Sequence, residues 1–419
     1  MSPDPGPRAV RAWHGPRILA VGFVSYLVSA GLMFSILGVF IGPAARAFGA
    51  SMSTMGTLPS FYHVVGAVLG PLLGERYGRG PLRRYLLIGA TLLPLGLVAV
   101  SRAEDLVFAA ICYAGAAVVG SFMMGPLASN TLVTNWYGPT RGRALGLIAT
   151  GATVAGIFLP TTAAILIERF GWRDALALLA LSSLLLTIPL FSAWATDRPE
   201  QIGQSPEPRP GEIEAIALGT PLAAEVEAPA SSTREILSRL HFWAIAAGFG
   251  ILFASSLISI TFTVPYAEQL GLSLRGGAAV LAARSLAAIA GQVSLGWLSD
   301  RIGERPVLWG AIAVECTCWF AIVQAPSVLL FTLAGIGIGF VSGSFAPLRG
   351  ALVARVYGRR DFAKVSGLLS PASLPIQILA VPLAGHLYDQ SGDYADAFRM
   401  FLYAFPVCAV LIAFVPARR

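Results

Sequence analysis

The sequence predicts an all-α membrane protein of twelve transmembrane helices arranged as two pseudo-symmetric six-helix halves. Three observations carry this. Apolar residues make up 56% of the 419-residue chain and charged residues 12%, with a mean hydropathy of +0.72, outside the range of water-soluble globular chains. Twelve apolar runs are each long enough to approach or cross a hydrocarbon core of about 30 Å. Short sequence anchors of the first half recur in the second at an offset of about 220 residues, the signature of a repeated bundle.

Taken in order, residues 1–17 form a Pro-rich, basic lead. The first apolar run, 18–42, is about 25 residues long and lacks a small-residue cleavage site, so it reads as a retained helix. Runs at 54–74, 85–101, 106–133, 143–167 and 175–195 complete a first half spanning 18–195. Residues 196–241 hold Pro199, Pro206, Pro208, Pro210, Pro221 and Pro229 among acids and serines. Such a composition buries no core and predicts a linker, ending in an interfacial amphipathic helix from Ser232 to His241. Runs at 242–266, 276–298, 306–323, 327–353, 364–387 and 397–416 make the second half, 242–419.

The repeat anchors are Phe40-Ile-Gly-Pro43 against Phe262-Thr-Val-Pro265, and Trp136-Tyr137-Gly138 against Val356-Tyr357-Gly358. A third pair is charged. Pro71-Leu-Leu-Gly-Glu75-Arg76-Tyr-Gly78-Arg79-Gly80 and Gly296-Trp-Leu-Ser-Asp300-Arg301-Ile-Gly303-Glu304-Arg305 each join the second and third runs of a half. With the amino terminus inside, roughly 21 Lys and Arg fall on cytoplasmic segments and about 6 outside, which predicts both termini in the cytoplasm. The net charge of +7 therefore reports topology, and nothing indicates a nucleic-acid surface. Cys112, Cys316, Cys318 and Cys408 lie within predicted spans and read as packing residues, with no disulfide framework. No cofactor or metal motif is present, and intramembrane enzyme chemistry lacks a nucleophile or metal cluster.

Ionisable groups at membrane depth are costly and usually face an aqueous path, so they are the candidate functional residues. Arg284 in helix 8 lies roughly 21 Å from the cytoplasmic end of its helix at ~1.5 Å per residue, close to the midplane. Its planar, permanently charged fork suits a carboxylate, which makes it the candidate anion anchor. Glu315 in helix 9 is a candidate partner of Arg284 or a proton carrier. His63, near the middle of helix 2, is the second proton-coupling candidate. Arg349, a turn or two inside helix 10, is expected to snorkel to the interface. Tyr26, Asn130 and Gln377 are neutral polar candidates for the substrate path, beside Ser129, Ser259 and Thr263.

The paired charged loops resemble the signature loop of the major facilitator superfamily of secondary transporters, and the resemblance covers the whole chain. Asn135-Trp-Tyr-Gly-Pro-Thr-Arg141-Gly-Arg143-Ala-Leu-Gly146, with Phe170-Gly171-Trp172-Arg173, is similar to the monocarboxylate and oxalate:formate branch. The resemblance implies a monomeric carrier in the cell membrane that moves small carboxylates by alternating access, coupled to a proton or a counter-anion. It also implies that Glu75, Arg76 and Arg79 with Asp300, Arg301 and Arg305 form a cytoplasmic gate between the halves. The chain departs from the branch at Val21–Tyr26, where an acidic Gly motif is missing, and at Gln292, where many members place an arginine. Proton-coupled export of lipophilic compounds is the alternative that the apolar helices leave open.

Overall fold

A computed structural model describes residues 13–50, 58–207, 231–272, 274–324, 327–391 and 393–416. Among these the chain forms twelve long helices and no strand. The first half comprises α1 (15–48), α2 (Leu58–Arg79), α3 (Leu82–Arg102), α4 (Leu106–Trp136), α5 (141–170) and α6 (172–194). The second comprises α7 (Leu240–Gln269), α8 (Leu274–Ile302), α9 (Glu304–Gln324), α10 (328–357), α11 (359–391) and α12 (Tyr394–Ala413). Eight helical stretches, two of them double, are long and apolar enough to cross a membrane. Val107, Leu185, Leu329 and Leu379 expose their side chains on the outside of the bundle, a cost in water and a match for lipid.

Two of the expected interhelical loops shrink to a single residue. Gly171 (φ 77°, ψ 163°) separates α5 from α6, and Gly358 (φ 76°, ψ 173°) separates α10 from α11. Only glycine occupies that backbone region without strain, so each turn needs no loop. Arg173 then donates to the Ser101 and Ala103 carbonyls at the end of α3 and lies 4.6 Å from the Trp172 ring centre. One guanidinium thus satisfies orphan carbonyls of a helix terminus.

Each half has its own apolar core. The first runs from Ile18 to Ala195 and the second from Ile236 to Val415, while Ala351 and Ala363 of the second half pack into the first core. Lipid tails are as apolar as leucine, so these helices associate through close packing of small residues. Glycines mark where the halves touch. A Cβ on Gly146 (α5) would lie 2.1 Å from the Gln292 carbonyl oxygen (α8), and one on Gly142 would lie 2.5 Å from that of Gly296. A Cβ on Gly367 (α11) would lie 2.1 Å from the Gly70 carbonyl oxygen (α2), and one on Gly74 would lie 2.4 Å from that of Ala363. All four contacts sit near the end of the molecule that carries the α2–α3 and α8–α9 hairpins, here called the hairpin face. The halves are closed against each other there.

The described ends of the linker are bound to this face, although its composition predicts a loose tether. Glu207 accepts from the Gly138 and Thr140 amides and from the Thr140 hydroxyl at 2.7–3.3 Å, satisfying donors ahead of α5. Glu200 takes both forks of Arg359 at 2.9 and 3.1 Å, and the same guanidinium donates to Asn135 of α4 at 3.3 Å. Burial alone would lift the Glu200 carboxyl; the Arg359 hydrogen bonds and nearby charges outweigh it and hold the group below the usual carboxylate range. This tie is present above the ordinary carboxylate range and is lost as pH falls through the depressed value. The expected helix after Ser232 is a six-residue segment, Thr233–Ser238, capped by the Ser232 hydroxyl on the Glu235 amide at 3.1 Å.

Candidate functional site

Helices α1, α4 and α10 are interrupted, and the interruptions place the polar groups. In α1 residues Gly31–Ser35 form a π-helical segment, and in α4 residues Tyr113–Val118 form another. α4 breaks again at Gly125 (φ −73°, ψ −153°), where Pro126 opens the continuing helix. The Met124 carbonyl released by the break accepts from the Ser25 hydroxyl of α1 and from Ser129 at 3.3 Å. Its partner half turns at Ser344 in α10, about 219 residues later, close to the repeat offset. Non-helical backbone at membrane depth is tolerated where it is buried or lines a path.

Five residues past each interruption stand Asn130 and Arg349, equivalent positions of the two halves. Asn130 accepts a hydrogen bond from the buried Tyr26 hydroxyl at 2.9 Å. Arg349 is half-buried, with its guanidinium carbon 4.9 Å from the Phe253 ring centre and close enough to Tyr26 to interact with it electrostatically. Beside it, a Cβ on Gly350 would approach Leu145 of α5 at 3.0 Å and the Asn130 amide at 4.0 Å. Arg349 therefore sits at the seam between the halves, where depth along the helix had suggested an interfacial residue. No salt bridge or hydrogen bond holds its guanidinium among the described residues.

Arg284 and Glu315 lie deeper in the second half. Arg284 is 5% exposed and donates to the Ser342 hydroxyl of α10 at 3.2 Å; its Nε has no partner. Glu315 is fully buried; it accepts from the Ser255 hydroxyl of α7 at 2.8 Å, and its second oxygen has no partner. Trp319 donates to the same Ser255 oxygen at 3.0 Å. The two charges interact without a direct salt bridge. Gln377 is bonded within its own helix, to Ser373 at 3.2 and 3.4 Å. Gln292 reaches across the seam to Thr153 of α5 at 3.1 Å. The side chains of His63 and Arg79 lie outside the described residues.

Of the charged hairpin residues, Asp300 spans the halves. Its carboxylate accepts from the Gly142 amide at 2.6 Å and the Arg143 amide at 2.8 Å, capping the α5 N-terminus from the other half. Arg301 instead lies over its own Trp297 at 3.9 Å, and Arg305 donates to the Ala413 carbonyl at 2.9 Å. Both contacts stay within the second half. Arg76 is exposed at the hairpin, and Glu75 is half-buried. Asp300→Asn keeps the shape and removes the charge. It is expected to weaken closure by about 1 kcal/mol, a roughly fivefold shift toward opening at the hairpin face. Maleimide labelling of Ser299→Cys, in a background without the native cysteines, reads that shift directly.

A family model described as Major Facilitator Superfamily matches residues 22–283 and 249–419. Human monocarboxylate transporter 11 is 25% identical over 417 residues, covering 95% of this chain and 82% of the relative. An MFS-type transporter of Gibberella moniliformis is 26% identical over 386 residues, covering 88% and 85%. Among solved structures, the outward conformation of the transporter FucP superposes with a TM-score of 0.69 at 14% identity, covering 96% of this chain and 99% of that one. The human organic anion transporter MFSD10 superposes with a TM-score of 0.68 at 18% identity, covering 95% and 99%. With that family model spanning nearly the whole chain of this two-half helical bundle, the chain is a transporter, not an enzyme, and belongs to the Major Facilitator Superfamily.

Proposed function

We propose that this transporter carries small organic monoanions, of the monocarboxylate kind, by alternating access, with Arg349 as the first anchor for the carboxylate. The observation that carries the reading is a guanidinium at the seam of the halves with no carboxylate partner among the described residues. A permanently charged, partly desolvated fork is poorly satisfied by an aromatic face alone, and a carboxylate satisfies it bidentately. Tyr26 and Asn130 face it from the first half, so a bound anion touches both halves and favours their approach. Arg284, held by Ser342, lies farther from the seam and takes a supporting part. The carboxylate named in relatives such as human monocarboxylate transporter 11 agrees with this chemistry. In this reading the hairpin face is cytoplasmic, the protein resides in the cell membrane, and it works as a monomer.

Export of lipophilic compounds has one observation in its favour. An apolar pocket lies between α1, α3, α4 and α6, walled by Leu32, Phe40, Leu97, Tyr113 and Trp172. It lies within the first half, away from the seam, where no rocking of the halves would expose it to each side in turn. Uptake of labelled pyruvate and benzoate into proteoliposomes, against tetraphenylphosphonium as a lipophilic cation, separates the readings. Saturable pyruvate or benzoate uptake is expected; transport of the cation alone would refute the anion reading.

A further inference from the structure

We infer that Glu315 takes up and releases the proton that accompanies the anion, and that Ser255, Arg284 and Ser342 carry its protonation state to the helices that move. The inference rests on the anion reading for its coupling, and on geometry for the site.

A carboxyl group with no exposure and one unpartnered oxygen is an expensive object in a bilayer core. If Glu315 served only to neutralise Arg284, a direct salt bridge would be the cheapest arrangement, yet none forms. Instead the carboxyl is tied to a hydroxyl. Ser255 has one proton to give and two lone pairs, one of them taken by the Trp319 indole N–H. By rotating, the hydroxyl donates to ionised Glu315 or accepts from protonated Glu315, so the same contact serves both forms. Uptake makes one O–H bond on the carboxylate at the expense of a hydronium or water, and release returns that proton to water.

The charged and titratable groups around Glu315 are few among the described residues. Arg284 comes from α8, Cys408 from α12, and Cys316 and Cys318 from α9 itself, while α10 holds Arg284 through the Ser342 hydroxyl. Cys408 is already engaged, donating to the Gly248 carbonyl at 3.3 Å. Arg284 is thus the cation that gains or loses a countercharge when Glu315 titrates. Its backbone is locked against α10, since a Cβ on Gly339 would lie 2.3 Å from the Arg284 carbonyl oxygen. Ser342 stands two residues before the α10 turn at Ser344, and Arg349 follows on the same helix.

The test uses purified full-length protein. Infrared difference spectra between acidic and alkaline buffer should show a protonated buried carboxyl band that Glu315→Gln removes, and Ser255→Ala should move its titration midpoint. In proteoliposomes, Glu315→Gln should keep pyruvate or benzoate exchange while net uptake driven by an inward proton gradient falls by about tenfold or more, the ordinary scale of coupling between two sites. A band that is absent from the wild type, or that survives in Glu315→Gln, overturns the proton site. Gradient-driven uptake unchanged in Glu315→Gln, with exchange intact, overturns the coupling and leaves the anion reading standing. If no carboxylate binds the wild type, the anion reading fails instead, and the infrared band alone decides whether Glu315 takes a proton.

Discussion

Replacing Arg349 with Gln is expected to lower the affinity for small monocarboxylates by about 2–4 kcal/mol, a loss of ~30- to ~1,000-fold. The size follows from the environment. The guanidinium is half-buried, lies 4.9 Å from the Phe253 ring centre, and is paired with no acid among the described residues. Gln keeps a planar polar end of similar reach and removes the charge, so the loss reports the ion pair rather than a cavity. Arg349→Lys restores the charge without the fork and should recover only part of the affinity. Because the guanidinium lies at the seam, on the rim of the second core where it meets the Phe253 ring, both variants should keep the melting temperature of the empty protein within a few degrees. Equilibrium binding of pyruvate or benzoate, titrated beside a far-ultraviolet melting curve, separates loss of the anion from loss of the fold.

The second large effect is expected at Gly146. A Cβ there would lie 2.1 Å from the Gln292 carbonyl oxygen, well inside contact distance, and the obstacle is backbone. Gly146→Val should therefore bar the halves from closing at the hairpin face while each half remains folded. Overpacking of this kind costs about 1–3 kcal/mol or more, enough to move the balance of states by ~5- to ~150-fold. Ser299, 2% exposed on the facing helix, reports the opening. Maleimide labelling of Ser299→Cys should accelerate by that factor, and transport should fall with it. Unchanged labelling would mean that the glycine contacts belong to a static interface.

The fold was legible because membrane helices must be long, apolar and internally bonded, which writes their number into the hydropathy pattern. The repeat anchors added the two-half arrangement. Less legible were the turns, since Gly171 and Gly358 do with one residue what the composition suggested would take several. The interruptions of α1 and α4 left one sequence trace, the Gly125-Pro126 step. The polar residues were harder still. Counting residues gives the depth of a side chain and not its azimuth, so Arg349 read as an interfacial residue while its rotation aims it at the seam. Glu315 read as a candidate partner of Arg284, and the structure joins the two through charge alone, each held by a serine on a different helix. The Asp300 contact was foreseen as ion pairing across the halves; it is made to the α5 amides, which no side-chain pattern announces.

The most direct test of the central claim is the thermal stability of the purified protein in pyruvate, benzoate, a neutral ester of each, and tetraphenylphosphonium, for wild type and Arg349→Gln. Stabilisation of the wild type by the free acids alone, absent from Arg349→Gln, is the predicted result and places a monoanion on that guanidinium. Equal stabilisation by the esters or by the cation, or acid-dependent stabilisation that persists in Arg349→Gln, would contradict it.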